Sequence, residues 1–399
     1  MDMQGDPPGG DPAEDPELQA YCAVRYAPEA LARGTAFPLP DEAFVPVWEE
    51  WARQSAGRGA FAVLSEQLPQ LRFPVRSGIS QEPGYRAATL RGVPPGEIPE
   101  ATGLELERPE SLELAIHASP AGRIPLIVVR HRPDFATVLR ALARRNEPAP
   151  VPDAQGALMV AGYNSWPRLH ALRRAWEARP PLQPLQTDER EAPATTTWGE
   201  ELKRLQATPE LFQDRFVLLS DGPYSAVPAL DLGLGEQAWR ETSLALRRDH
   251  ECAHYLTRRL FGAMRNHLLD ELVADYAGMT GAAGRYRADW QRRFLGLETG
   301  PRGEGYRSGG RLDLYRGDPP LSDGAFERLQ ALAGAAAAEI ERFDAGLRKT
   351  GPASPAGEES ARDRALVLLA LATLRVDEIA APGGAERLAQ RLAELRERI

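Results

Sequence analysis

The stretch RRDHECAHYLTRRLFGAMRNHLLDELVADYAG, from Arg247 to Gly278, decides how the chain is read. Of six histidines in the whole sequence, two stand four residues apart here, His250 and His254. No proline or glycine falls between Gln237 and Phe261, so an uninterrupted helix is permitted. At 3.6 residues per turn, a four-residue step puts both imidazoles on one face, one turn apart, where they can reach a single ion. Glu251 follows His250 directly and can reach a water on that ion without being a ligand itself. His250-Glu251-Cys252-Ala253-His254 thus satisfies the pattern H-E-x-x-H.

A catalytic zinc takes three protein ligands and a water. The turn FGAMRN, residues 261–266, lets the chain reverse, and Asn266 can cap a second helix. Glu271 then falls in the early turns of that helix, facing back toward the histidines, and is the candidate third ligand. Asp275, one turn further on, is placed to accept the second ring N–H of a metal-bound histidine. Arg265 and His267 read as solvent-facing or salt-bridge residues, with His267 in reserve as a ligand. The bland alternative is an exposed, charged helix pair. A di-iron carboxylate site would need a second E-x-x-H on another helix, and none is found. The extended H-E-x-x-H-x-x-G-x-x-H pattern is excluded by Thr257 and Leu260.

His250-Glu251-x-x-His254 with Glu271-x-x-x-Asp275 resembles the gluzincin metallopeptidases, whose third zinc ligand is a glutamate on a following helix. The resemblance is confined to residues 250–275. It implies that His250, His254 and Glu271 bind Zn2+, that Glu251 is the general base, and that Asp275 orients a histidine. Outside this core, FPVRSGISQ, GYNSW and LSDGPYSAVPA look similar to an uncharacterised bacterial protein family without assigned function.

The chemistry expected of such a site is hydrolysis. Zinc brings the pKa of its water toward neutrality, and Glu251 takes that proton and delivers it to a leaving amine. The developing oxyanion needs a further donor. Tyr306, Arg311 and Tyr315, in the glycine-rich loop 300–318, are candidates if that loop folds over the site; the competing reading is an ordinary surface loop. The stretch LSDGPYSAVPA (219–229) either lines the cleft or merely connects. Cys252 points away from the histidine face and reads as core, and His117, His131 and His170 as structural or surface residues. The expectation is a zinc-dependent metallopeptidase with a peptide or amide substrate. A non-peptidase metalloenzyme tailoring a small molecule or peptide is the first rival, and a non-catalytic, metal-supported interaction module the second.

Bulk properties narrow the setting. The formal charge of −9 disfavours a nucleic-acid partner. Two cysteines, Cys22 and Cys252, make no disulfide framework, which fits a reducing compartment. The acidic, Pro/Gly-rich start lacks the basic and apolar regions of a signal peptide. The longest apolar run, ALVLLALATL at 365–374, is too short to span a bilayer. No membrane association and a cytoplasmic location are expected.

The fold class expected is α+β, a mixed α/β N-terminal part followed by a mainly helical, zincin-like part. Residues 1–16 read as a disordered tail and 17–110 as a mixed region with a helix at 41–54 and a loop at 73–85. An α/β layer spans 111–235, with a polar, proline-rich connection at 178–197. The active-site helices take 236–299, and the glycine-rich loop with C-terminal helices at 322–347, 358–380 and 384–398 takes 300–399.

Overall fold

The two inner strands form where short apolar runs can be buried on both faces, and the outer two are only partly buried. In this computed structural model, residues 15–179, 197–298, 305–350 and 358–399 are described, apart from 28, 30, 264 and 266. Residues 1–14 of the expected tail, the cap at Asn266 and most of the proline-rich connection lie outside these residues; the last two residues of that tail are instead ordered, Asp15 as the cap and Pro16 as the first residue of a helix. Four N-terminal helices come first: α1 (Pro16–Cys22), α2 (Val45–Arg58), α3 (Ala60–Gln67) and α4 (Pro83–Arg91). The hairpin β1 (Leu112–Ser119) and β2 (Gly122–Val129) follows, then α5 (Arg132–Ala143), β3 (Ala157–Asn164), α6 (Trp166–Glu177), α7 (Trp198–Leu205) and β4 (Gln213–Leu219). The sheet order is β1-β2-β4-β3. β1 and β2 are antiparallel, β2 and β4 parallel, and β3 and β4 antiparallel, with a register shift between Ala161 and Tyr163.

Both faces of this sheet are covered, so its central strands carry apolar runs, Ile124–Val129 in β2 and Phe216–Leu219 in β4. Ile127, Val129, Phe216 and Leu218 point into a core with Trp48, Val63, Phe135 and Val138 from α2, α3 and α5. Their strand neighbours Leu126, Val128, Val217 and Leu219 point the other way, into the larger core that holds the C-terminal helices. The period of two sorts consecutive residues of one strand into two different cores.

The second core belongs to α8 (Glu236–Phe261), α9 (Leu268–Ala283) and α10 (Ala288–Leu295), then the short ribbon β5 (Leu297–Glu298) and β6 (Gly305–Tyr306), and α11 (Asp323–Thr350), α12 (Glu358–Ala372), α13 (Val376–Ala380) and α14 (Gly384–Arg398). The architecture is α+β, as expected. The helix expected at 358–380 is broken: α12 ends at Ala372, and Arg375 starts α13 with its backbone N–H bonded to Glu378. Within the described residues no helix is long and apolar enough to cross a membrane.

α8 and α9 approach so closely that glycine is required between them. A Cβ on Gly278 would sit 2.7 Å from the backbone oxygen of Leu246. Gly278→Ala is therefore expected to destabilise: overpacking costs about 1–3 kcal/mol, more than the roughly 1 kcal/mol gained in helix propensity. Gly334 in α11 meets nothing within 4 Å, so Gly334→Ala should gain the propensity term alone. Denaturant unfolding of the two variants checks the contrast; equal effects would mean that the helices separate without cost.

Candidate metal centre

α8 carries His250, Glu251 and His254, all buried. Gly262 ends it in a left-handed cap, φ 69°, and the chain reverses into α9. The cap of α9 is His267, whose side chain accepts the backbone N–H of Leu269. His267 was expected at the surface or in reserve as a ligand. It is instead buried, stacked on Tyr21 with ring centroids 4.1 Å apart and bonded through Nε2 to the Tyr21 carbonyl at 3.1 Å. Arg265 lies over the Tyr26 ring and donates its backbone N–H to Asp270.

Burial holds the His267 imidazole down at about 4, against an ordinary 6.5. A depressed folded value means that the stabilisation is complete above pH 6.5 and disappears as the pH falls toward 4, an effect on the order of 3 kcal/mol. Asp270, pushed up to about 6 by burial, runs in the opposite sense, so His267 is read by difference. His267→Asn keeps a capping acceptor and should flatten the loss of stability between pH 6.5 and 4 relative to the parent. Parallel pH-dependent unfolding curves would refute this assignment.

α9 brings Glu271 back against the histidines. His250 Nε2 and His254 Nε2 are 3.1 Å apart, and each lies 3.6 Å from an oxygen of Glu271. Two metal–ligand bonds of 2.0–2.1 Å at a tetrahedral angle place their donor atoms about 3.3 Å apart, so the two imidazoles are spaced as ligands of one ion, and Glu271 turns a different oxygen toward each. One ligand atom from each residue can be chosen so that all lie within 4.8 Å of one another. Burial lowers the pKa of His254, which keeps its ring neutral and its lone pair available. His250, His254 and Glu271 could hold a metal ion.

Behind them lies a buried ring of donors around Asp275. Tyr224 O–H donates to Asp275 Oδ1 at 2.5 Å, and His250 Nδ1 is 3.0 Å from the same oxygen. Gln291 Nε2 donates to Asp275 Oδ2 at 2.7 Å, and Arg311 Nη2 pairs with that oxygen. Burial opposes ionisation of Asp275, but Arg311, His250 and Tyr224 outweigh it and hold the carboxyl well below the usual range. An ionised Asp275 fixes the proton of His250 on Nδ1 and leaves Nε2 with its lone pair toward His254 and Glu271. Arg311 Nη1 also donates to Tyr224 Oη and Ser225 Oγ, each at 3.0 Å.

The Tyr224 loop is fixed by Arg247, one turn before Glu251. Its guanidinium donates to the carbonyls of Ser220, Gly222 and Pro223. It lies so tightly against Gly156 that a Cβ there would be 2.3 Å from its Nε. Glu251 is buried beside this group. Burial raises its carboxyl to about 7; His250 and Arg247 act downward and Glu271 upward.

The three loop residues expected as oxyanion donors separate. Arg311 is turned inward to Asp275 and Tyr224. Tyr315 is buried, its hydroxyl raised by burial and by the charge of Glu271. Tyr306 stands apart, its hydroxyl donating to the Gly310 carbonyl and its ring edge-on to Phe326. Tyr224, Gln291 and Arg247 were not singled out from sequence; Tyr224 lies in LSDGPYSAVPA, the stretch left open between cleft and connection. Cys252 is buried, and its thiol is raised by burial. His117 pairs with Asp249 at 3.4 Å and His131 with Asp134 at 3.1 Å.

No curated protein and no solved structure matches the chain. Residues 8–383 match the model of a family described as "Family of unknown function (DUF7005)", and since that match takes in nearly all of the sequence, the chain belongs to this family.

Proposed function

We propose that this chain is a zinc-dependent hydrolase, with peptides as the favoured substrates. The observation that carries the reading is the convergence of ligand atoms of His250, His254 and Glu271 to within 4.8 Å of one another, with a buried carboxylate outside that group, Glu251, next to His250 in the chain. Two imidazoles and one carboxylate suit zinc among the divalent ions. When bound, zinc supplies Lewis acidity, which makes water a nucleophile near neutral pH and polarises a carbonyl. Glu251 accepts the proton of the attacking water and returns it to the leaving amine. Asp275, held by Arg311, Gln291 and Tyr224, keeps His250 in one tautomer. Arg247 sets the Tyr224 loop against that histidine.

Elemental mass spectrometry of the purified parent and of His254→Ala tests the reading at its base. About one zinc per chain in the parent, lost in the variant, is expected. A parent that takes up no stoichiometric metal after zinc is offered would end the hydrolase reading.

The ligand side chains and Glu251 are each about nine-tenths buried, which favours a thin or small substrate. A small amide is therefore the second reading. Cleavage of a peptide library by the zinc-loaded protein decides between them; a fully metallated chain that cuts no peptide favours the small amide.

A further inference from the structure

A second site lies away from the metal group, in a cleft between α4, the end of α5 and the outer strand β3. Its volume is about 470 Å³, within the range of about 300–1,000 Å³ typical of small-molecule sites. Arg86 and Arg145 both line it. Among the described residues neither has an ion pair or a side-chain hydrogen bond. Carboxylates close to them in the chain are already engaged. Glu82 pairs with Arg76 at 2.5 Å, and Glu147 accepts the backbone N–H groups of Gly78 and Ser80.

Arg145 is held in an uncommon conformation. Its φ is +52° and that of Asn146 is +59°. Asparagine tolerates this region, and Asn146 is anchored there by its amide, which donates to the carbonyls of Gln70 and Phe73. Arginine has no such local reason, and glycine would serve better if the position only ended a helix. What arginine adds is a cation on the cleft wall.

Tyr85 lines the same cleft. It is 3% exposed, and its hydroxyl has no hydrogen-bond partner. Buried hydroxyls are normally paired, so an orphan beside two unpaired cations points to a missing acceptor. The rest of the wall is partly apolar: Leu142 and Val160 are buried there, and Leu90 is 59% exposed.

We propose that this cleft binds a small organic oxyanion, a carboxylate or phosphate head on an apolar body. Arg86 and Arg145 hold the head, the Tyr85 hydroxyl donates to it, and Leu90, Leu142 and Val160 take the body. The site does not depend on the metal group or on hydrolysis.

Calorimetric titration of the full chain with phenyl phosphate, benzoate, inorganic phosphate and benzyl alcohol tests this. Phenyl phosphate or benzoate should bind, more weakly as salt rises, and benzyl alcohol should not. The stronger of the two acids identifies the head group. Arg145→Gly suits the backbone at that position and should raise the melting temperature while weakening binding about tenfold or more. Tyr85→Phe should weaken it severalfold without loss of stability. The proposal is overturned if neither acid binds, if Arg145→Gly and Arg86→Gln bind like the parent, or if inorganic phosphate matches phenyl phosphate and so leaves the apolar wall no role.

Discussion

Glu251→Gln is expected to keep the metal and lose turnover by about 10²–10⁴-fold, the usual worth of a positioned proton carrier. The carboxyl is buried next to His250, and burial, outweighing the pull of His250 and Arg247, brings it to about 7. A bound dication would act in the opposite direction. A carboxyl held between these two pulls can take a proton from water and release it within one cycle. Glutamine fills the same volume and offers no basic site. Since Glu251 is not among the three converging ligands, metal content should not change. Steady-state cleavage and metal analysis on the same preparations check both halves. A variant as active as the parent would remove Glu251 from the chemistry, and a variant without metal would make it a ligand.

Arg311→Met should be the most damaging change outside the ligands. Asp275 is completely buried, and Arg311, 14% exposed, is the cation paired with it. Removing one partner of such a pair leaves an uncompensated charge and costs about 3–5 kcal/mol. The loss should also reach the metal. With Asp275 less firmly ionised, the proton of His250 is no longer fixed on Nδ1, and changes at such supporting groups weaken metal affinity about 10–100-fold. The double variant Arg311→Met/Asp275→Asn removes both charges and should recover part of the stability but not the affinity. Denaturant unfolding and competition with a chelator separate the two readouts. If Arg311→Met alone leaves both unchanged, the pair does not support the site.

What could be read from sequence was what depends on local spacing. H-E-x-x-H fixes a helical face by itself, and Glu271 and Asp275 share a face of the next helix because they too are four apart. The sheet was legible because burial on both faces leaves apolar runs such as IPLIVV. Contacts made across long separations leave no such periodic trace. His267 looked like a turn residue because nothing nearby announces Tyr21, which covers it from the other end of the chain. Gln291 carries no pattern that would assign it to Asp275. Arg311 was singled out as a cation in a loop, but its direction, inward to a buried carboxylate rather than outward to a substrate, follows from packing alone. The break after Ala372 was also invisible, because no proline or glycine marks it. It rests on Thr373 bonding back to Leu369 and on Glu378 capping Arg375.

The order in which the chain is made gives the Asp275 ring a further meaning. All three candidate ligands exist once Glu271 has been synthesised, yet Arg311 comes forty residues later. A nascent chain can therefore meet metal before Arg311 is there to hold Asp275, and through it the proton of His250, in place. Discrimination among ions at that stage rests on the ligands alone, and firm retention begins only when the later segment arrives. A ribosome-stalled chain ending before residue 311 should capture zinc and exchange it faster than the finished protein does.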